Sequence, residues 1–325
     1  MPIQLIEFNN HKFVNKTIEK TIDLPAGNRL TWLSFEAEME QACVWLEEHL
    51  NLDSYSIDAL CHEQTRPRIF ISSNQEMVLL LRIPPLNQGD CLESLSIRIL
   101  IKENLLVTMS RTKLPVIETV MEKINATTHE FSSPFYLVWL ICKYSNEAIS
   151  DYILNLDEEL IRIEENWEAS HSLETDQIRM IRLNLSHLRR FLHPQLETYQ
   201  KLSVSMDEQL NERKKERQTY HSRWRENINL LKRDIEALTE MQERVNILYE
   251  TFQQEIHESS NRIMYLLSIV ATFFLPLTFV ASLLGMNLNG VPGSQSPWAF
   301  LMACCLILFI ALVQWLLFRR WRWLK

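Results

Sequence analysis

Two long stretches without one charged residue lie close together late in the sequence, at residues 263–284 and 298–318. Each matches the roughly 20 apolar residues a helix needs to cross the hydrocarbon core of a bilayer. Such a run can be housed in lipid only as a helix, which satisfies its own backbone polar groups. The rest of the chain must differ in character, because the mean hydropathy of the whole is only -0.12. The sequence is therefore expected to hold a large water-exposed part followed by a membrane hairpin.

Charge sets the expected orientation. Arg262 precedes the first run, and Arg319, Arg320, Arg322 and Lys325 follow the second, whereas residues 285–297 between them carry no charge. By the positive-inside rule both termini are expected in the cytoplasm, giving a multi-pass protein of the inner (cytoplasmic) membrane. Trp298, Trp315, Trp321 and Trp323 stand near the expected interfaces, where indole rings settle. Residues 1–10 have neither a basic start nor a long apolar core, so no signal peptide is expected. All 41 acidic residues precede Ser259 against 28 basic ones before Arg262, a net of -13 for the water-exposed part. That balance argues against a nucleic-acid partner and is compatible with attracting cations, although an ordinary acidic surface accounts for it as well.

The first 133 residues mix short strands and helices. Strands are expected at 29–35, 68–72, 77–83, 95–101 and 105–109, which are short and rich in branched apolar residues. In the fourth, Leu95, Ile97, Ile99 and Ile101 alternate with Ser96, Arg98 and Leu100, the pattern of a half-buried strand. Residues 37–50 and 115–127 read as amphipathic helices, completing an α+β (mixed α/β) domain with a modest sheet. From Ser133-Pro134, a helix start, apolar residues recur at three- and four-residue steps. One run holds Ile149, Ile153, Leu156, Leu160, Ile163 and Trp167, and a second Ile178, Ile181, Leu185, Leu188 and Leu192. A third holds Trp224, Ile228, Leu231, Ile235, Leu238, Val245, Leu248, Phe252 and Ile256. These describe a helical stalk with coiled-coil-like packing. No glycine lies between Asp90 and Leu284, so one helix is expected from about Asp207 into the first span, with Pro276 absorbed as a kink. The expected domains are residues 1–133, 134–258 and 259–325, the last divided into a span at 263–284, a loop at 285–297 and a span at 298–318 with a basic tail.

The six cysteines form no Cys-x-x-Cys pair or zinc-finger spacing and are expected reduced and structural. Cys61-His62-Glu63 offers soft-metal ligand types, but a loop without a partner in sequence is the simpler reading. No nucleotide-binding or catalytic motif is present. The chain is thus not expected to be an enzyme or to use nucleotide, and any transport must run on ion gradients or voltage.

The first span ends in Gly285-Met286-Asn287, followed by a short uncharged loop, the second span and a basic tail. In that setting the triplet resembles the signature of the CorA metal-transporter family. Asn261-Arg262-Ile263-Met264 and Phe274-Leu275-Pro276-Leu277-Thr278-Phe279 carry the likeness further. Within the family, Leu288-Asn289-Gly290-Val291-Pro292-Gly293, Thr65-Arg66-Pro67-Arg68 and Arg189-Arg190-Phe191-Leu192-His193-Pro194 resemble the ZntB zinc-transporter branch, although some members of that branch replace the triplet methionine that this chain keeps.

The resemblance implies a funnel-shaped homopentamer in lipid, with five copies of the first span around a pore. The implied cargo is a divalent cation, Zn²⁺ foremost, with Mg²⁺, Co²⁺, Ni²⁺ and Cd²⁺ as alternatives, and no tightly bound cofactor. Gly285, Met286 and Asn287 would form the filter, Asn287 meeting the metal through its water shell. Asn287 also suits a helix C-cap. Stepping back from Gly285 by threes and fours gives Ser282, Thr278, Leu275, Ala271, Ser268 and Met264, a stripe rich in small and hydroxyl residues. It fits a wet lumen or plain helix packing. By resemblance Thr278 is the polar pore position, Leu275, Leu267 and Met264 are apolar constrictions, and Asn261 marks the inner membrane boundary. Glu250, Gln254 and His257 continue the stripe toward the cytoplasm as a pore mouth, where His257 also suits a solvated face. A membrane-anchored coiled-coil sensor or scaffold is the competing class.

Overall fold

The computed structural model describes residues 3–9, 12–18, 30–37, 39–62, 66–84, 95–126, 133–170, 175–209, 214–286 and 298–320. They fall into two compact units, Met1–Leu248 and Tyr249–Lys325.

The first unit begins with seven strands, β1 (Ile3–Asn9), β2 (Lys12–Ile18), β3 (Thr31–Glu36), β4 (Arg68–Ile71), β5 (Met77–Ile83), β6 (Leu95–Lys102) and β7 (Leu105–Ser110). They make one sheet in the order β2-β1-β3-β7-β6-β5-β4. Neighbours are antiparallel except β3 and β7, which pair in parallel from Thr31↔Leu105 to Glu36↔Ser110. The sheet is larger than expected. The β1–β2 hairpin escapes a sequence reading because polar residues (Gln4, Glu7, Lys12, Asn15, Lys16) interrupt it.

Helices α1 (Met39–His49) and α2 (Ser54–Cys61) cover one face of the sheet. There Leu46 and Leu60 meet Leu33, Phe35, Val78, Leu80, Leu100 and Val107 in one buried cluster. The short α2 is started by Asp53, whose side chain accepts from the Tyr55 amide. On the opposite face Ile97, Ile99, Leu79 and Leu81 are fully buried, and the long helices α4 (Pro134–Ser170) and α5 (Thr175–Gln209) lie against β4, β5 and β6.

Strand β6 is therefore not half-buried, as its alternation suggested. Both of its faces are covered, and Arg98 is 1% exposed. The guanidinium donates from Nη2 to the His62 carbonyl at 3.0 Å, at the C-terminus of α2. A cation is favourable at that end of a helix dipole. Burial, with Arg111, Arg68 and Arg82 nearby, lowers its pKa.

Cys43 on α1 and Cys61 at the end of α2 form a disulfide, with Cα atoms 6.2 Å apart. This corrects the expectation that all six cysteines are reduced. The bond arises because α1 and α2 pack side by side, and a separation of 18 residues leaves no local motif to read. It also removes Cys61 as a metal ligand. Among the described residues no group of three His, Cys, Asp or Glu side chains is placed to hold a metal, and Glu63 lies outside them. Cys142, Cys304 and Cys305 are free, and Cys91 lies outside the described residues.

After α3 (Pro115–Ala126) come α4 (Pro134–Ser170), α5 (Thr175–Gln209) and α6 (Lys214–Leu284). Ser133 opens α4, its hydroxyl accepting from the Phe135 amide, with Pro134 in the first turn. The expected seams are buried through Ile149 to Trp167 in α4 and Ile178 to Leu192 in α5. In α6 the burial holds from Trp224 to Leu248 and then stops, Ile256 being 44% exposed. Helix α6 begins at Lys214 rather than about Asp207, because α5 itself continues to Gln209. Residues 210–213, between the two helices, include no glycine or proline.

Polar rungs cross the seam. Asn146 donates to the Asn227 carbonyl, and Asn227 donates to the Trp139 carbonyl. Tyr199 donates to Asn146 at 3.2 Å, and the Gln195 side chain accepts from the Arg82 amide of β5. Ser150 hydrogen-bonds the Asp234 carboxylate, and Arg244 bridges Asp157 at 2.7 Å and Glu164 at 2.5 Å. Buried polar groups need such partners, and these fix which helix faces meet. Burial pushes the Cys142 thiol up to about 12, leaving it protonated and unreactive.

Candidate permeation path

The second unit contains the C-terminal part of α6, from Tyr249, and α7 (Ala299–Arg320). Neither apolar segment is buried within the single chain, and both are long enough to cross a bilayer. Large apolar side chains in water on every side would drive aggregation, whereas in lipid they are solvated. Pro276 sits inside α6 without ending it. Ser268 donates to the Met264 carbonyl at 2.8 Å and Thr272 to the Ser268 carbonyl at 2.7 Å, so these hydroxyl protons are satisfied within the helix.

The expected lumen residues share one side of α6. Asn261, Met264, Leu267, Ser268, Ala271, Leu275, Thr278 and Ser282 are all exposed, Leu275 the most of the apolar ones at 68%. The less exposed positions of the span are Ile269, Phe273, Leu277 and Val280. At 3.6 residues per turn these two sets lie about 180° apart around the helix axis. In α7 the half-buried positions Ala303, Cys304, Ile307, Ile310, Ala311 and Gln314 likewise make one stripe. The sheltered side of α6 is therefore the side away from the small and hydroxyl-bearing residues.

Gly285 closes the helix, its amide donating to the Ala281 carbonyl at 2.9 Å. A Cβ there would sit 3.2 Å from that same oxygen, so glycine permits an approach that a larger residue would strain. Met286 is 53% exposed. Asn287 lies outside the described residues. Toward the other end, Glu250, Gln254 and His257 are exposed, with Gln254 donating to Glu258 at 3.0 Å. Arg319 stands over the Trp315 ring at 5.5 Å, a cation–aromatic pair at the basic end of α7.

Sequence reading passed over Gln314. Its amide oxygen is buried without a hydrogen-bond partner in the single chain, an expensive state inside a membrane span. A lone glutamine in an apolar run was the available signal.

Residues 27–320 match the family described as CorA-like Mg2+ transporter protein. The chain belongs to that family: it is a membrane protein with two C-terminal spans and a divalent-cation transporter, not an enzyme. It is 32% identical over 301 residues to the divalent cation transporter CmaX of Pseudomonas aeruginosa, covering 90% of this chain and 87% of the relative. Identity to the zinc transport protein ZntB of Pectobacterium atrosepticum is 26% over 304 residues, covering 93% and 90%. The expected likeness to the zinc branch is thus present but is exceeded by the likeness to CmaX. The structure of full-length CmaX superposes with a TM-score of 0.78 at 29% identity, covering 99% of this chain and 98% of that one. The CorA magnesium transporter from Methanocaldococcus jannaschii shares the fold at a TM-score of 0.74 and 18% identity, with 98% of each chain covered.

Proposed function

We propose that five copies of this chain assemble in the cytoplasmic membrane around a central path lined by the C-terminal part of α6. In this arrangement residues 1–133 and 134–258 form the cytoplasmic domain and stalk. The observation that carries the proposal is the placement of Met264, Ser268, Ala271, Leu275, Thr278 and Ser282 on the side of α6 opposite its sheltered stripe. That side is left for neighbouring copies and an aqueous axis, and one hairpin alone cannot enclose a passage.

Gly285, Met286 and Asn287 then form the outer filter, with a ring of Asn287 amides hydrogen-bonding the water shell of a divalent ion. Keeping most of that shell avoids the large cost of dehydrating a small hard cation. Leu275, Leu267 and Met264 act as apolar constrictions that gate by dewetting. Glu250 concentrates cations at the inner mouth. Voltage favours uptake by about 2.3 kcal/mol per charge for each 100 mV.

Zn²⁺ is the proposed cargo, supported by the loop and arginine-rich segments that resemble the ZntB branch. Likeness to CmaX, named only as a divalent cation transporter, favours a broader range that includes Mg²⁺ and Co²⁺. Flux of Zn²⁺ and Mg²⁺ measured in competition, in liposomes holding the purified pentamer, tests both points. Zinc flux that persists in excess Mg²⁺ is the expected result. A clear preference for Mg²⁺ would remove the zinc assignment, and no flux of either ion through inserted pentamers would favour an anchored scaffold.

A further inference from the structure

The Cys43–Cys61 bond is not part of the proposed permeation path, yet it occupies a distinctive place. Its two halves sit on the helices that roof the sheet, at the wall of an open cavity of about 800 Å³. Cys61 is half-buried and Cys43 is 7% exposed, so a small thiol arriving through the cavity reaches Cys61 first. Ala42, Leu46 and Leu60 are fully buried beneath, so α1 and α2 stay seated on the sheet whether or not the sulfurs are joined.

We infer that Cys43 and Cys61 form a reversible thiol–disulfide exchange site for low-molecular-weight thiols. The inference rests on the reading that the first unit faces the cytoplasm, where glutathione and thioredoxin keep thiols reduced and a disulfide is more often a redox device than a strut. The chemistry balances with two equivalents of a monothiol. A thiolate attacks the Cys61 sulfur, the S–S bond breaks, and Cys43 leaves as a thiolate that takes up a proton. A second thiol resolves the mixed disulfide, releasing Cys61 as a thiol and one molecule of oxidised reductant. The reverse sequence, driven by oxidised glutathione, restores the bond.

Electrostatics gives the site a preference. Glu47, Glu48 and Asp58 also line the cavity, and all three are exposed. Their field repels anionic thiols such as glutathione more than neutral ones.

The test uses the full chain in detergent, equilibrated across graded ratios of reduced to oxidised glutathione and quenched by alkylation. Mass spectrometry then counts the two cysteines. The expected result is full, reversible conversion of both within that range. Reduction by neutral mercaptoethanol should be faster than by glutathione, and Glu47→Gln with Asp58→Asn should speed the glutathione reaction about twofold to threefold. A bond that stays oxidised at the most reducing ratio is a structural strut, and a pair that never joins in excess oxidised glutathione is two buried thiols. A reduced pair that binds one Zn²⁺ per chain and then resists oxidation is a metal-thiolate site. Any of these overturns the inference. Sidedness is read separately, with a membrane-impermeant maleimide on right-side-out and inverted vesicles: labelling of the reduced pair from outside defeats the cytoplasmic reading and leaves the exchange chemistry standing.

Discussion

Helix α6 is one element in two solvents, and its two parts are built by different rules. Between Trp224 and Leu248 it buries one face, and its neighbours are chosen by polar rungs at Asn227, Asp234 and Arg244. Beyond Ile263 almost every side chain is exposed, and the Ser268 and Thr272 hydroxyls bond back to the helix itself. In water the removal of leucine from solvent drives association. In lipid a leucine gains little by leaving the acyl chains, so small residues and occasional polar contacts must do the selecting. The first rule gives a seam that is complete within one chain, and the second leaves a span that the proposed assembly would complete with other copies.

The sharpest way to break this contrast is at the outer mouth. Asn287→Ala should reduce zinc flux at low concentration by roughly tenfold, the scale of about 1.4 kcal/mol for a lost hydrogen-bonded contact, while pentamers remain by size-exclusion chromatography. Unchanged flux would remove Asn287 from the filter.

The same truncation on both parts of the helix sharpens the comparison. Leu231→Ala should cost about 2–5 kcal/mol by denaturant unfolding, because it opens a cavity in a packed seam. Leu275→Ala should cost far less and instead raise basal flux by widening the proposed constriction. Equal costs would mean that the span is packed like the stalk. A smaller loss is expected for Arg244→Ala, roughly 1 kcal/mol, since the bridge to Asp157 and Glu164 is partly exposed and screened.

The smallest effect concerns pH. Burial raises the Asp234 pKa above its unfolded value, partly offset by the Ser150 hydrogen bond and by Arg233. The folded state then favours the protonated acid, a contribution fully present below the unfolded pKa and lost as pH rises through the folded one. Asp234→Asn keeps an acceptor for Ser150 without the buried charge. It should raise the melting temperature at neutral pH by about 1–2 °C, with the gain fading in acid. A loss of stability at neutral pH would show that the charge itself is needed.

Both parts of α6 were legible in the sequence, though unequally. The spans follow from length and charge alone, and the seam from three- and four-residue spacing. The rungs were invisible, because an Asn227 or Asp234 on a helix reads as solvated until its partner on another helix is placed. Strand β5 is legible to the residue, since Met77–Leu81 is uniformly apolar and Arg82 alone interrupts the run before Ile83. Helix α2 was missed because Ser56 and Leu60 are its only fully buried residues, too few to make a period. The disulfide needed tertiary structure to join α1 to α2. At the filter the reading rests on the triplet, since Asn287 lies outside the described residues.

Ser268 carries one last implication. Its proton is committed to the carbonyl one turn back, so what it turns outward is lone pairs. Waters around a cation point their hydrogens away from it. In the proposed assembly, five such oxygens would offer those hydrogens a ring of acceptors halfway along the passage. An anion's shell, with oxygens outermost, would find no donor there. The discrimination of charge sign would then begin with which way a serine hydroxyl is turned, in a stretch of helix that has no charge of its own.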